Sequence, residues 1–305
     1  VSTWLIFHLA EKSTTARWVQ LARRYLSNYD PKAKIGAGAN AYFTELNRGR
    51  PPIDVLDVVC YSINPQVHAF DNASLVETLE TQARTVESAR QFVSHLPVAV
   101  TPITLKPRFN PDATGPEPPL GVGELPSPVD VRQMSLLGAG WTLGSLKYLA
   151  ESNVYSVTYY ETTGWRGVMN TERGSPVPEK FHSRPGDIFP LYHLLADVGE
   201  FVSGNVVSTI SNSPLIVDGL AIRKNGVTRV LLANFTAQRQ QVTIHNLNAD
   251  VQVRHLDETN AETAMRAPKA FRTQAGERLE IASGCIKLEL LPYAVVRIDT
   301  LRSEE

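Results

Sequence analysis

The apolar positions of this chain change their period about two thirds of the way along. Up to about Phe201, extended apolar runs alternate with stretches of helical spacing. WLIFHL (4–9), KIGAGANAYF (34–43), VLDVVCYSI (55–63), PVAVTPITL (97–105) and SVTYYE (156–161) read as strands. VLDVVCYSI is apolar almost without interruption, as a strand covered on both faces should be. Between the runs lie helical patterns. STTARWVQLARRYL has Trp18, Leu21, Ala22 and Tyr25 in phase. A second helix after Asp71 and Asn72 carries Leu75, Leu79, Val86 and Ala89 along one side. VRQMSLLGAGWTLGSLKYLAES follows a Pro/Gly-rich stretch, and FPLYHLLADVGEF closes the region. Gly138, Gly140 and Gly144 lower helix propensity but allow close approach to a sheet. Repeated strand–helix units of about 40 residues predict a (β/α)8-type barrel without its first strands. From about Asn205 the period becomes two: PLIVDGLAIRKNG, VTRVLLANFT, QQVTIHNL, VQVRHL, ERLEIASGC and IKLELLPYAVVRIDT, with turn signals between them and no helix. That pattern predicts an antiparallel β-sandwich. The expected domains are 1–203, a partial barrel, and 204–305, the sandwich.

Composition narrows the partners. Lys and Arg total 30 against 31 Asp and Glu, a net charge of −1, so nothing suggests nucleic acid or another strongly charged surface. No apolar run approaches a membrane span. Cys60 and Cys285 both lie inside apolar runs, which predicts two buried thiols in a reducing cytoplasm. HExxH, CxxC, GxGxxG and G-x-S-x-G patterns are absent, so no metal and no cofactor are expected. The chain opens at Val1 inside an apolar run, which reads as a piece of something longer.

In an α/β barrel the chemistry sits in the loops after the strands. The first run offers His8 and Glu11; the second Asn40, Tyr42 and Glu45; the third Asn64, Gln66, His68 and Asp71; the fourth Lys106 and Arg108; the fifth Glu161, Trp165 and Arg166. Glu161 continues the alternation of Val157 and Tyr159, so it is expected to point into the barrel as a general base or nucleophile, or else to pair with Arg166 or Lys106. Trp165 suits a stacking platform for a sugar ring, or a lid. His68 is a candidate catalytic group or a loop-ordering histidine. Lys106 and Arg108 are candidates to hold a carbonyl oxygen, although Pro107 between them fits a plain turn. Glu11 and Glu45 are candidate site carboxylates or helix caps.

Two resemblances rest on these stretches. LLPYAVVRI (290–298) and the strand order resemble the clan-A glycoside hydrolases, barrels with a C-terminal β-sandwich. CYSINPQVHAFDNASLVETLE (60–80), TPITLKPRFNP (101–111), RQMSLLGAGWTLGSLKYLAES (132–152) and SVTYYETTGWRGVM (156–169) resemble the bacterial D-apionate lactonases, a glycosidase-like family that opens a sugar lactone. The resemblance implies an upstream part holding the early barrel strands. It implies an exposed sheet edge through which copies could pair. Clan A keeps its two carboxylates after strands four and seven. Here strand seven ends TLKPRF without one, and strand four would be WLIFHL, with Glu11 slightly late. The resemblance therefore implies a hydrolase of a small sugar lactone, with Glu161 activating water and Lys106, Arg108 or His68 facing the oxyanion. The alternatives are a two-carboxylate glycosidase, pairing Glu161 with Glu11 or Glu45, and a non-catalytic carbohydrate-binding fragment.

Overall fold

The computed structural model describes residues 1–301. In chain order its main elements are β1 (Thr3–Leu5), α1 (Ala16–Tyr29), β2 (Lys34–Tyr42), α2 (Phe43–Gly49), β3 (Val58–Ile63), α3 (Asn72–Glu77), α4 (Leu79–Val93), β4 (Val98–Ile103), α5 (Leu136–Glu151), β5 (Ser156–Tyr159), β6 (Glu161–Thr163), β7 (Gly167–Met169) and α6 (Pro190–Gly199). There follow β8 (Asn205–Val207), β9 (Val217–Lys224), β10 (Val227–Asn234), β11 (Gln240–Ile244), β12 (Val251–Leu256), α7 (Ala261–Arg266), α8 (Pro268–Thr273), β13 (Glu277–Leu279), β14 (Ile286–Leu290) and β15 (Val295–Thr300). Contacts divide the chain into two units: residues 1–71, 80–120 and 148–160, and residues 72–79, 121–147 and 161 onward. No described helix is long and apolar enough to cross a membrane.

The first unit is built on one parallel sheet in the order β1-β2-β3-β4-β5. β3 is buried at every residue, as its unbroken apolar sequence requires. Three successive ladders slip near their C-terminal ends: between Gly38 and Tyr42 on β2, Tyr61 and Ile63 on β3, and Val100 and Ile103 on β4. Such irregularities re-aim side chains where strands end. α1 is turned from the face its spacing predicts. Val19 is buried and Arg23 donates to Val55 O at 2.9 Å and to Asp57 Oδ2 at 3.0 Å, while Leu21 and Tyr25 are 45% and 65% exposed. Asp57 also accepts from the Ile35 N–H at 2.8 Å.

The second unit holds a six-stranded antiparallel sheet, β13-β12-β15-β10-β9-β8, and the pair β11-β14. Val230, Val253, Val296 and Ile298 from the larger sheet share one core with Ile286, Leu288, Val242 and Ile244. The Lys-Asn-Gly signal forms the two-residue β9–β10 turn, with φ of 50° at Asn225 and 79° at Gly226. IKLELLPYAVVRIDT is two strands, not one. The chain turns at Tyr293, φ 57°, and passes from the small sheet to the large one. Two short helices, α7 and α8, occupy a region whose alternation predicted strands alone; α8 starts on Pro268 and buries Phe271. The glycines of α5 approach the antiparallel sheet. A Cβ on Gly144 would lie 2.6 Å from Leu79 and 3.2 Å from Phe235, and one on Gly140 would lie 3.4 Å from Ala233. Cys60 is buried, and desolvation pushes its thiol up to about 12. Cys285 is only half-buried, because its β-turn lies at the edge of the small sheet, so the expectation of two buried thiols holds for one.

α6 is fixed to the large sheet by charge. Buried Asp197 accepts from Arg254 Nη2 at 2.8 and 3.0 Å and from Arg297 Nη1 at 3.0 Å, and Arg272 Nη2 lies 2.9 Å from it. Glu200 takes Arg229 Nη1 at 2.7 Å and also pairs with Arg272. Arg229 also grips Asp299 at 2.6 Å. Desolvation would raise the Glu200 carboxyl, but the bond from Arg229 and the charges of Arg297, Arg229 and Arg272 outweigh it and hold it below the usual range. His193, one helical turn before Asp197, is buried and shares a hydrogen bond with Ala264 O at 3.1 Å. Desolvation pulls its imidazole down to about 4.

Two outcomes follow. Asp197→Ala leaves three arginines facing one another without their common anion and should cost roughly 3–5 kcal/mol in denaturant melts. His193 gains its proton more easily unfolded, near 6.5, than folded, near 4. Stability is therefore complete above about pH 6.5 and falls as pH drops towards 4, by up to roughly 3 kcal/mol. Melts across that window should show the decline, and His193→Gln should flatten it.

Candidate functional site

A cavity of about 550 Å³ opens in the first unit beside the C-terminal ends of β1 and β2 and the loop after β4. Phe7, Leu9, Ala10, Ala41, Phe109 and Pro111 give it apolar walls, and His8, Glu11, Lys12, Asn40 and Asn110 give it polar groups. The parallel ladder explains the place, since all five strands run the same way and their following loops share one edge.

Each polar group has a local cause. Glu11 sits ahead of α1 and acts as its N-terminal anchor. Its Oε2 accepts the Thr15 N–H at 2.9 Å, and its Oε1 accepts the Trp18 indole N–H at 2.7 Å and the Thr15 hydroxyl at 3.3 Å. The Thr15 N–H is the main reason its carboxyl lies below the usual carboxylate range. Desolvation opposes it, and smaller pulls from Trp18, the Thr15 hydroxyl and the nearby His8 add to the lowering. The His8 ring stacks on Trp18, centroids 4.1 Å apart and 12° from parallel, and its Nδ1 accepts the Ala10 N–H at 3.3 Å. Asn40 is exposed on a strand whose neighbours Ala39 and Ala41 are buried, and it falls within the slip of the β2–β3 ladder. Arg108 reaches across to it. Its Nη2 donates to Asn40 O, to Asn40 Oδ1 at 3.2 Å and to Ser62 Oγ at 2.8 Å. The loop after β4 is held over the cavity by three ties: this arginine, the Tyr42 hydroxyl donating to Phe109 O at 3.1 Å, and the exposed pair Lys12–Asp112.

The other sequence candidates fall elsewhere. Glu45 is buried in a capping box, its Oε2 accepting the Tyr42 N–H at 3.0 Å. Asn64 accepts the Gln66 N–H at 3.1 Å, and buried Gln66 donates to Leu105 O. Both order the β3 loop. His68 is exposed on that loop, and the Lys106 carbonyl accepts the Thr104 hydroxyl at 2.7 Å. None of these lines the cavity.

Glu161 departs most from its expected setting. β5 stops at Tyr159, and Tyr160 turns the chain with φ 59°, so the alternation that aimed Glu161 inward is broken. Glu161 instead opens β6, pairs in parallel with Gly167 on β7, and binds Arg166, with its side chain 51% exposed. Trp165 is half-buried in the turn between these strands. Pairing with Arg166 is one of the two settings its sequence allowed.

Sequence reasoning passed over Lys12, Phe109 and Asn110, and named His8 at the end of the first strand without giving it a role. His8 and Glu11 are three residues apart at a strand end, which is a usable signal. The Phe109–Pro111 loop arrives from about 100 residues away; its stretch is marked by Lys106 and Arg108 and by the family resemblance, but not by Phe109 or Asn110 themselves. Among the described residues, no group of three or more His, Cys, Asp or Glu side chains is placed to hold a metal ion.

With this geometry in view, comparison with known proteins is specific. Residues 12–203 match the family described as D-apionate lactonase, TIM barrel domain, and residues 214–298 match its C-terminal immunoglobulin-like domain. Over 215 residues the chain is 28% identical to a D-apionate lactonase from Brucella anthropi, covering 70% of this chain and 34% of that protein. The chain thus spans about a third of the length of the curated relative it matches. Among solved structures it resembles an arabinofuranosidase from Xanthomonas axonopodis pv. citri, with TM-score 0.59 and 11% identity, covering 99% of this chain and 66% of that one. It also resembles the glucanase-xylanase CelM2 from a metagenome library, with TM-score 0.60 and 11% identity, covering 94% and 59%. At such identities the likeness shows the fold alone: a TIM-barrel part followed by an antiparallel, immunoglobulin-like part. The chain belongs to the D-apionate lactonase family.

Proposed function

We propose that the protein hydrolyses a small sugar lactone of the apionolactone kind, with Glu11 deprotonating the attacking water at the cavity wall. One observation carries this reading: an ionised carboxylate lines a sugar-sized cavity at the C-terminal end of a parallel sheet, in a chain of a lactonase family. Hydrogen bonds from Thr15 and Trp18 hold the Glu11 carboxylate in place at the cavity wall, and a carboxylate can accept a proton from water.

The same bonds weigh against Glu11 as the general acid of a glycosidase. Protonating a glycosidic oxygen needs a carboxylic acid whose pKa is raised, and Glu11 is shifted the other way. That reading pairs Glu161 with Glu11 or Glu45, but Glu161 is bound to Arg166 and does not line the cavity, and Glu45 is committed to its helix cap. A lactone needs no such acid, because attack on its carbonyl calls for a base and for donors to the developing oxyanion. A binding-only role fits less well, since His8, Glu11 and Asn40 converge on one cavity rather than scattering along the rim. Glu161, held by Arg166, is the competing base.

Assays on sugar lactones and on aryl glycosides test the reading. Turnover of lactones alone is expected, with kcat of Glu11→Gln lower by ~10²–10⁴-fold and Glu161→Gln within threefold of the parent. Loss confined to Glu161→Gln would move the base to that residue, and turnover of the glycosides alone would overturn the lactone assignment.

A further inference from the structure

We infer that Asn40 and His8 form a donor pair that binds the lactone carbonyl oxygen as it becomes an oxyanion, through Asn40 Nδ2–H and His8 Nε2–H. The inference rests on the lactone reading above and adds the groups that would stabilise its transition state.

Both side chains carry one atom that accepts and another that donates, and which of them faces a ligand is ordinarily open. Here the acceptor of each is already occupied by a fixed donor. Arg108 Nη2 donates to Asn40 Oδ1 at 3.2 Å, which leaves the amide nitrogen as the group to present. The Ala10 N–H donates to His8 Nδ1 at 3.3 Å, so the neutral ring carries its proton on Nε2. Both residues line the same cavity.

The holders are held in turn. The Arg108 nitrogen that grips Asn40 Oδ1 also binds the Asn40 carbonyl and Ser62 Oγ, so it has little freedom to release the amide. The plane of His8 is set by its stack on Trp18, and Trp18 is set by its indole bond to Glu11. One linked group therefore orients a donor and the base together. Donors fixed before substrate arrives need no reorganisation during reaction, and this is what makes an oxyanion site effective. Arg108, a sequence candidate for the oxyanion itself, becomes a positioning residue that acts through Asn40.

The reaction balances on these groups. Water adds to the carbonyl carbon while its proton passes to Glu11, and the carbonyl π pair moves to oxygen, where Asn40 and His8 receive the charge. The carbonyl then reforms, the ring C–O bond breaks, and the departing oxygen takes the proton back from Glu11. The product is the open hydroxy acid.

The test uses the full chain with a sugar γ-lactone as substrate. Asn40→Asp keeps the shape and the grip of Arg108 but removes the donor, and His8→Phe keeps the stack on Trp18 but removes Nε2–H. Each should lower kcat by ~10²-fold or more with KM within threefold, and His8→Gln should recover at least tenfold over His8→Phe. Circular-dichroism melts check that the variants fold. Should His8→Phe fail to fold, the 15N spectrum of the unaltered protein decides its part, since an Nε2–H tautomer is required and an Nδ1–H tautomer overturns it. An active parent whose Asn40→Asp or His8→Phe keeps kcat within threefold overturns the donor pair alone. A parent inactive on every lactone overturns the functional reading and this role with it.

Discussion

The parallel ladder that joins β1 to β5 gives all five strands one direction, so the loops that follow them emerge along a single edge. Every polar feature of the cavity depends on that polarity. Glu11 and His8 follow β1, Asn40 lies near the end of β2, and Phe109 and Asn110 belong to the loop after β4. Ladder slips near these ends loosen the strict alternation of the strands. Asn40 can then turn outward between two buried alanines without exposing the apolar residues beside it.

Around that edge a few side chains serve folding and chemistry at once. Glu11 secures the start of α1 and also supplies the charge in the cavity wall. Arg108 ties the β4 loop to β2 and also orients the Asn40 amide. Coupling of this kind keeps the groups rigid, because a residue that holds a helix or a loop cannot drift without cost. It also means that the low pKa of Glu11 is a consequence of its structural duty rather than a separate adjustment.

The parts legible in the sequence are those set by local pattern. The apolar run of β3 and the Asn225–Gly226 turn both appear where they were expected. Each miss traces to a distant or non-repeating cause. The stripe of Leu21 and Tyr25 is exposed, while Arg23 of the same helix reaches Val55 and Asp57, more than 30 residues away. The inward aim of Glu161 assumed an unbroken strand, and a single residue of positive φ at Tyr160 ended it. The cavity itself could not be assembled from the sequence. Glu11 reads there as either a site carboxylate or a helix cap, and its other wall comes from a loop about 100 residues further on.

The two thiols have very different surroundings, and this carries a practical consequence. Cys60 is sealed in the centre of the parallel sheet with its proton held tightly, so it should ignore alkylating reagents while the protein is folded. Cys285 lies half-uncovered on a turn of the antiparallel part, where its Sγ contacts Ala282 O. A maleimide dye added to the native chain should thus mark one position, far in sequence from the catalytic candidates, and any second equivalent taken up would report that the sheet around Cys60 had opened.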